Sequence, residues 1–337
     1  MSVDGFWRHR SVLVTGATGF LGSHLVDALA GQFASVVVVR RDRRPATAVS
    51  ARWLENVAVV EGDVVDTALL QRVLEEFSVQ TVLHAAAQTQ VGVARRQPAS
   101  TFASNVEGTW SVLEAVRHSP AVEQVVIASS DKVYGVQPRL PYDESMPLLA
   151  EEPYDVSKAC AEMIARSYFA TYGTPVAITR CANFYGPGDR NWRRLVPGTL
   201  RSLLLGERPI VRSNGSLVRD YLYVKDGVSA YLQLAETMAA DPGLAGHVFN
   251  FSAEEPLTVI EMVRRLQEAA GTSLEPVITD EVVGEIPMQQ LSAAKAREML
   301  GWAHAYSLEE GLAETVDYYR ALLVESRGFP VAEIAPS

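Results

Sequence analysis

The sequence predicts an α/β fold, namely a doubly wound parallel sheet with a smaller C-terminal region interleaved with it. Two observations predict this fold. Short runs rich in β-branched residues alternate with longer segments whose apolar residues recur every three or four positions, as in a parallel sheet covered by helices on both faces. In addition, the first such run, Val12–Val14, passes into a helical segment through three closely spaced glycines.

The alternation places each element in turn. Seven strands are expected, at Val12–Thr15, Ser35–Arg40, Val57–Val60, Thr81–His84, Gln124–Ser129, Val176–Arg180 and Val248–Phe251. Helices are expected at Asp66–Phe77, Ala99–His118 and Pro153–Tyr172. From Asn183 onward the content of Pro, Gly, Arg and Trp rises. We therefore expect a main domain over residues 1–182, with a strand returning near 247–252, and a second, interleaved region over residues 183–330.

Composition excludes several classes of protein. The 337 residues are 48% hydrophobic, which is ample for a sizeable core, and the net charge of −10 argues against a nucleic-acid surface. No apolar stretch approaches the ~20 residues of a membrane span, and the first ten residues lack the apolar core of a signal peptide. Cys160 and Cys181 have neither metal-site nor disulfide spacing, so both are expected to be reduced. A cytoplasmic protein without metal, nucleic-acid or membrane partners is predicted.

The glycine turn predicts a Rossmann-type dinucleotide site. Gly16 permits the tight turn, Gly19 lets the backbone approach a pyrophosphate, and Gly22 lets the helix pack close on the sheet. The first amides of the helix, at Phe20 and Leu21, would supply hydrogen-bond donors and the positive end of the helix dipole. The alternative is a plain strand, turn and helix without a ligand.

Residues at the ends of later strands fit the same cofactor. Asp63 and Val64 follow the third strand, where a carboxylate and an amide could meet an adenine ring, although Asp63 would serve equally well as a helix N-cap. Small side chains end the fourth strand and would let a ribose or pyrophosphate lie against the backbone: Ala85, Ala86 and Ala87.

A tyrosine and a lysine form the candidate catalytic pair. Tyr154 and Lys158 are four residues apart on a predicted helix and therefore share a face, where the ammonium would lower the pKa of the phenol and make it a base. Tyr221 and Lys225 have the same spacing but lie in a predicted strand, where residues four apart stand ~13 Å from one another. Ser130, ending the fifth strand, would complete a triad by hydrogen bonding the substrate hydroxyl.

These motifs carry a family resemblance. The glycine turn and the Tyr–Lys pair resemble the short-chain dehydrogenase/reductase superfamily, and the length suits its extended branch, the nucleotide-sugar epimerase/dehydratase family. The stretch S-S-D-K-V-Y-G from Ser129 resembles 4,6-dehydratases, in which an acid and a base follow the triad hydroxyl. The Asp–Lys form is most similar to CDP-glucose 4,6-dehydratases, as are H-A-A-A-Q-T-Q-V from His84, Y-D-V-S-K-A-C-A-E from Tyr154 and L-S-A-A-K-A-R-E-M-L-G-W from Leu291.

The resemblance implies a nucleotide-hexose 4,6-dehydratase with a nicotinamide cofactor. Tyr154 would deprotonate the sugar 4-hydroxyl, Lys132 would remove the C5 proton, and Asp131 would protonate the departing 6-hydroxyl. Lys132 must then be neutral, a condition that a lasting ion pair with Asp131 would oppose. The alternatives are a nucleotide-sugar 4-epimerase, which would share everything except the role of Asp131 and Lys132, and a non-catalytic dinucleotide-sensing protein; the motif itself could also be a plain surface turn after a strand.

The resemblance also implies a set of binding residues. It places Asn183 and Arg219 at the sugar diphosphate and Asn105 as a tie between its helix and the fourth strand. The stretch V-R-D-Y-L-Y-V around Arg219 is common in epimerases and dTDP-sugar dehydratases, so the base of the nucleotide stays open. Further candidates for substrate binding are Gln88, Arg193, Arg194, Leu195, Val196 and Gln289.

The end of the second strand bears on which dinucleotide binds. NAD enzymes usually place an acidic residue there, roughly 20 residues past the glycines, whereas this chain has Arg40 and Arg41. An arginine could clamp a 2′-phosphate, stack on adenine or face solvent. We expect NAD, because a retained cofactor is not drawn from the reducing NADPH pool, and hold NADP as the second possibility.

The resemblance finally implies a homodimer. Helices Ala99–His118 and Pro153–Tyr172 resemble the pair that extended family members pack against a partner in a four-helix bundle. The expected apolar contacts are Val112, Ala115, Met163 and Tyr168.

Overall fold

The structure, a computed structural model, describes residues 5–41, 57–281 and 285–326. Its strands, in chain order, are β1 Ser11–Thr15, β2 Ser35–Arg40, β3 Ala58–Glu61, β4 Thr81–His84, β5 Gln124–Ala128, β6 Val176–Cys181, β7 Asn183–Tyr185, β8 Ile210–Val211, β9 Val218–Arg219, β10 Tyr221–Tyr223, β11 Val248–Phe251, β12 Leu257–Thr258 and β13 Val277–Ile278. The expected domain limits at residues 1 and 330 lie outside the described residues.

The helices surround these strands. They are α1 Phe20–Gly31, α2 Thr67–Glu76, α3 Val91–Arg96, α4 Pro98–Phe102, α5 Gly108–Arg117, α6 Pro153–Tyr172, α7 Leu195–Leu204, α8 Val224–Ala240, α9 Val259–Ala270, α10 Ala294–Leu300 and α11 Leu308–Ser326. Short 3₁₀ turns cover Asp131–Tyr134 and Pro242–Leu244, and a π turn covers Ala103–Glu107. Within the described ranges, no helix combines the length and the apolarity needed to cross a bilayer.

A seven-stranded sheet forms the centre of the molecule, and its order is β11-β6-β5-β4-β1-β2-β3. Every neighbouring pair in it is parallel. Along β1, Val12 and Val14 pack into one apolar layer and Leu13 into the other, because successive side chains point to opposite faces and helices cover both. The predicted doubly wound α/β fold is confirmed.

A second apolar core lies under the C-terminal elements. Helices α7, α9 and α11 contribute Leu200, Met262 and Leu312, which pack with residues of β7 and β10. The strand β11 pairs with β6 at the edge of the main sheet, so the chain returns to that sheet after passing through this second core. The carboxyl ends of β1, β4, β5 and β6 thereby face the loops of the second core, which is where open parallel sheets bind ligands.

The expected helix Ala99–His118 differs from the structure in its middle. The segment starts at Pro98 and ends at Arg117, but Ala103–Glu107 forms a π turn between α4 and α5. A single inserted π turn of this kind is often found at functional sites. It rotates the second half of the segment, and Asn105 lies within the turn.

Two further expectations are wrong. The run Tyr221 to Lys225 is not one strand: β10 ends at Tyr223 and α8 begins at Val224, so the distance argument against this Tyr–Lys pair does not apply. Lys225 is instead paired with Glu314, at 2.5 Å between Nζ and Oε2.

The second error concerns the face of α5 that was expected to meet a partner subunit. Val112 is 2% exposed and Ala115 is fully buried, because both pack in the protein's own core beneath the sheet. Tyr168 is half-buried, and its hydroxyl donates to Glu114. Only Met163 of the expected contacts is an exposed apolar side chain.

Candidate active site

The glycine turn after β1 is packed too tightly for any larger residue. Gly16 has a φ of 72°, and a Cβ there would lie 2.6 Å from the backbone nitrogen of Ala86. A Cβ at Gly22 would lie 2.2 Å from the carbonyl oxygen of Gly16. The turn therefore lies directly against the end of β4, and only glycine fits at these two positions.

Helix α1 begins at this turn with free backbone donors. Its N-cap is Gly19, in an extended conformation, and no side chain caps the first turn. The amides at Phe20 and Leu21 are among those that a helix leaves without intrahelical acceptors. Uncapped amides at the end of a parallel strand fit the pyrophosphate of a dinucleotide.

Acidic and basic side chains meet at the ends of β2 and β3. Arg40 Nη2 lies 3.4 Å from Glu61 Oε1, and Arg41 Nη1 lies 3.6 Å from Asp63 Oδ2. Asp63 is not the cap of the following helix, because Asp66 accepts the hydrogen bond from its first turn, at 2.9 Å from the Leu69 amide. Asp63 instead accepts from the Val65 amide at 3.3 Å and pairs with Arg41, at the edge where an adenosine would lie.

The π turn connects the end of β4 to the catalytic helix. Asn105 Oδ1 accepts from the backbone amide of Gln88 at 2.7 Å, and Asn105 Nδ2 donates to the Gln88 carbonyl at 3.1 Å. The same Nδ2 lies 2.8 Å from Ser157 Oγ on α6. Asn105 thus fixes the segment that follows Ala85–Ala87 against the helix that carries Tyr154.

Ser130, Tyr154 and Lys158 meet at the carboxyl end of β5. Ser130 caps the 3₁₀ turn that follows this strand, and its hydroxyl lowers the pKa of the Tyr154 phenol against the larger, raising effect of burial. Tyr154 is 8% exposed. Lys158 Nζ donates to the carbonyl of Ala128 at 2.8 Å, so the lysine holds the strand end and the helix together.

The electrostatics differ from the expectation that Lys158 lowers the pKa of Tyr154. Burial raises the pKa of Tyr154 to about 12, and this effect outweighs the opposing hydrogen bond from Ser130 and the charge of Arg194. Burial also lowers the pKa of Lys158 to about 8. In the protein alone the phenol is therefore protonated at neutral pH, and its ionised form is a strong base.

Asp131 and Lys132 occupy the same 3₁₀ turn, one residue beyond Ser130. Asp131 is 2% exposed, and burial raises the pKa of its carboxyl, which favours the protonated form. Its Oδ1 lies 3.2 Å from Ser130 Oγ, and among the described residues its Oδ2 has no hydrogen-bond partner. The hydrogen bond of Lys132 Nζ runs to Gln289 Oε1, at 3.4 Å, and not to Asp131.

Sequence reasoning missed two buried acids beside this turn. Burial raises the pKa of Asp155 to about 6 against the opposing charge of Lys132, and it raises the pKa of Asp220 to about 6 as well. Each has one oxygen without a hydrogen-bond partner in the described part of the chain. Unsatisfied buried polar atoms are rare, and the charge of Asp131 acts on both of these acids, so all three belong to one polar cluster. The only sequence signal was the position of Asp155, directly after Tyr154.

The expected substrate residues lie in different environments. Asn183 is partly exposed, and its amide and side chain both donate to the Asp220 carbonyl. Arg194 Nη1 lies 3.1 Å from Asp189 Oδ2, and its charge lowers the pKa of Tyr154 against the larger effect of burial. Arg219 is 7% exposed and paired with Glu285. The remaining three are the exposed Arg193, the half-buried Leu195 and Val196, which is buried in the second core.

A buried ion pair between α6 and β6 supports the site. Glu162, one turn beyond Lys158, is fully buried, and its Oε2 lies 2.6 Å from Arg180 Nη2 on β6. Ser129 Oγ donates to Glu162 Oε1 at 2.5 Å. Because breaking one partner of a buried pair leaves an uncompensated charge, this contact holds α6, β5 and β6 in register at the catalytic end.

Comparisons with known proteins agree with this geometry. The family model of the NAD dependent epimerase/dehydratase family matches residues 12–251. The chain is 32% identical to the dTDP-glucose 4,6-dehydratase of Streptomyces antibioticus, over 92% of this chain and 92% of that relative.

Two solved structures are similar over nearly the whole chain. UDP-glucose 4-epimerase from Thermotoga maritima, solved with UDP-glucose, has a TM-score of 0.85 and 31% identity, and the match covers 93% of this chain and 99% of that chain. A dTDP-glucose 4,6-dehydratase from Streptomyces venezuelae, solved with NAD bound, has a TM-score of 0.83 and 31% identity, covering 94% and 98%. The relatives therefore include both a dehydratase and an epimerase.

Proposed function

Since this chain belongs to the NAD dependent epimerase/dehydratase family, we propose that it is a nucleotide-hexose 4,6-dehydratase. It would convert a nucleoside diphosphate hexose into the 4-keto-6-deoxy sugar. One observation carries this choice over a 4-epimerase: a buried acid with a raised pKa, Asp131, and an adjacent amine, Lys132, lie in the same turn as Ser130. An epimerase has no elimination step for an acid and a base to perform.

The cofactor we propose is NAD, held by the glycine turn and the uncapped start of α1. The end of β4 would bound its ribose and pyrophosphate, and Asp63 with Val64 its adenine. When bound, NAD would accept a hydride from C4 of the sugar and return it to C6, and its positive charge would favour the phenolate of Tyr154.

The protein's own groups would then handle the protons. Tyr154 takes the proton of the 4-hydroxyl, which leaves a ketone at C4 and acidifies the C5 proton. Lys132 removes that proton, the released electron pair forms the C5–C6 double bond, and the C6–O bond breaks as Asp131 gives its proton to the departing hydroxyl. Water leaves, and Lys132 returns its proton to C5 while C6 is reduced.

The substrate would lie between the two regions of the chain. We assign residues 1–182, with the strand near 247–252, to the cofactor and residues 183–330 to the nucleotide sugar. Asn183 and Arg219 would contact the diphosphate, while Gln88 and Arg194 would line the hexose end. The Asp–Lys turn favours a cytidine nucleotide, and the similarity to a dTDP-glucose 4,6-dehydratase makes thymidine the next base to test.

A panel of nucleotide hexoses tests the reaction type. Incubating the purified protein with CDP-, dTDP- and UDP-glucose and weighing the products should show the loss of one water from one of them, with no added reductant. A product of unchanged mass and inverted C4 would indicate the epimerase. Unaltered substrate throughout would favour the non-catalytic alternative.

The identity of the bound dinucleotide is a second expected result. Releasing it from denatured protein should give the mass of NAD without an extra phosphate, because Glu61 and Asp63 already pair with Arg40 and Arg41 and would repel a 2′-phosphate. Arg40→Ala should then leave cofactor retention nearly unchanged. If the mass carries the extra phosphate and Arg40→Ala loses the cofactor, the choice of NAD is wrong.

We also propose a homodimer formed through the segment Pro98–Arg117 and α6. The exposed apolar side chains there are Trp110, at 42% exposed, and Met163, at 65% exposed, which replace the expected contacts Val112 and Ala115. Light scattering should give the mass of a dimer, and Trp110→Glu with Met163→Glu should give a monomer because two charges would be buried at the contact. Phe33→Glu, at a residue 72% exposed elsewhere, is the matched control. A wild-type monomer at every concentration would contradict the proposal.

A further inference from the structure

Gln289 lies in the active site at a place that the sequence did not predict, next to Lys132. It was expected only as one of the substrate-binding residues, and its side chain reaches the catalytic turn, with Oε1 3.4 Å from Lys132 Nζ. The residue is fully buried, and its backbone amide donates to the Val218 carbonyl at 3.1 Å. The amide side chain is therefore held on a fixed backbone next to the proposed base.

The amide nitrogen of the same side chain lacks a protein partner in the described part of the chain. Gln289 Nε2 is buried and has no hydrogen-bond partner among the described residues. Leaving a buried donor unsatisfied costs about 1–3 kcal/mol, so such atoms in native proteins are usually partnered by water or a ligand. Nε2 belongs to the same amide group as the Oε1 that contacts Lys132, so the unpartnered donor lies close to the proposed base.

We propose that Gln289 is a positioning residue that orients Lys132 towards C5 of the hexose and donates a second hydrogen bond to a hexose oxygen. This proposal rests on the dehydratase function proposed above. Accepting a hydrogen bond from Nζ fixes the direction of the amine, and with it the direction of the lone pair that takes the proton. The free Nε2 then holds the sugar against that amine.

The uncharged amide suits a base that must be neutral. The groups around Lys132 are Asp131 in its own turn, Asp155 on α6, and Arg219 on β9, whose charge acts on Asp131. A carboxylate at position 289 would add a third anion, whereas glutamine gives the same geometry without charge.

Two substitutions separate positioning from simple structural support. Gln289→Leu keeps the volume but removes both polar ends, and Gln289→Glu keeps an acceptor for Lys132 but adds charge. The matched controls are Gln290→Leu and Gln290→Glu at the neighbouring, half-buried residue. For each variant we would measure three quantities: the rate of water loss, the formation of reduced nicotinamide, and the exchange of the C5 proton with deuterated water.

The Gln289→Leu variant should eliminate water from the substrate about 10- to 100-fold more slowly than wild type. It should also exchange the C5 proton more slowly, while still reducing the nicotinamide. In Gln289→Glu the added carboxylate should stabilise the ammonium of Lys132. The pH at which the rate of water elimination rises should therefore shift upward by about one unit, and the rate should recover at high pH. The Gln290 variants should behave as wild type. The glutamate variant keeps the test open if the leucine variant does not fold.

Two other outcomes would overturn the proposal, and they are distinguishable. If wild type eliminates water from a nucleotide hexose and both Gln289 variants show the same rate and pH profile, the role of Gln289 alone is overturned. If wild type eliminates no water from any nucleotide hexose, both the dehydratase function and this role of Gln289 are overturned.

Discussion

Replacing Tyr154 by phenylalanine is expected to slow conversion of the nucleotide hexose by about 10²- to 10⁴-fold, the usual contribution of a positioned base. The change removes only the phenolic hydroxyl, and the buried ring remains in place. Because Asn105, Lys158 and the glycine turn keep their contacts, the variant should stay folded and retain its dinucleotide. Product formation by mass spectrometry and the released cofactor would be measured on the same sample.

Tyr172→Phe is the matched control for this variant. Tyr172 lies on the same helix but is 56% exposed, so the loss of its hydroxyl should leave the rate unchanged. A Tyr154→Phe protein with the wild-type rate on the true substrate would show that the triad is assigned to the wrong residues.

The double change Asp131→Asn with Lys132→Met is expected to block water loss while preserving oxidation at C4. Both substitutions are close in size to the original side chains and remove the acid and the base, while the asparagine side chain keeps an acceptor oxygen for Ser130. The reduced nicotinamide formed in the first step then has no acceptor at C6. Its absorbance should therefore rise on addition of substrate and remain high, whereas in wild type it should be transient.

Lys225→Met serves as the control for removing a lysine, since Lys225 pairs with Glu314 outside the site. It should give the wild-type product. If the double variant at positions 131 and 132 also gives the wild-type product, these residues do not carry an elimination, and the epimerase becomes the better account.

The strands and the glycine turn could be predicted because their determinants are local. Alternating burial of Val12, Leu13 and Val14 on the two faces of β1 requires a continuous apolar run, which the sequence displays directly. Gly16 and Gly22 are required by contacts within the turn and with the neighbouring strand end. A strand followed by such a turn allows few other arrangements.

Features that depend on contacts between distant residues could not be predicted. Gln289 meets Lys132 across 157 positions of the chain, and nothing in its own neighbourhood indicates this. The π turn at Asn105 follows from hydrogen bonds to Gln88 and Ser157, which belong to two other elements. The inward face of Val112 depends on how α5 rotates after that turn, so an apolar residue on a helix could not be assigned to core or interface in advance.

The acid–base properties of the site also divide into a part that the sequence predicts and a part that it does not. The spacing of Tyr154 and Lys158 was sufficient to predict that they share a helix face, but it carried no information on burial. Burial dominates in the structure and raises the pKa of the phenol to about 12. The identity of the catalytic groups was therefore open to sequence reasoning, whereas the strength of each group depends on the folded environment.

The path of the hydrogen at C4 tests the central claim most directly. The protein would be given its nucleotide hexose with deuterium at C4, in ordinary water, and the product would be examined by mass spectrometry and NMR. If the chain is a 4,6-dehydratase, the product has lost one water, carries a ketone at C4 and bears the deuterium at C6. Deuterium that remains at C4 of a product of unchanged composition and inverted configuration would contradict this account and identify a 4-epimerase.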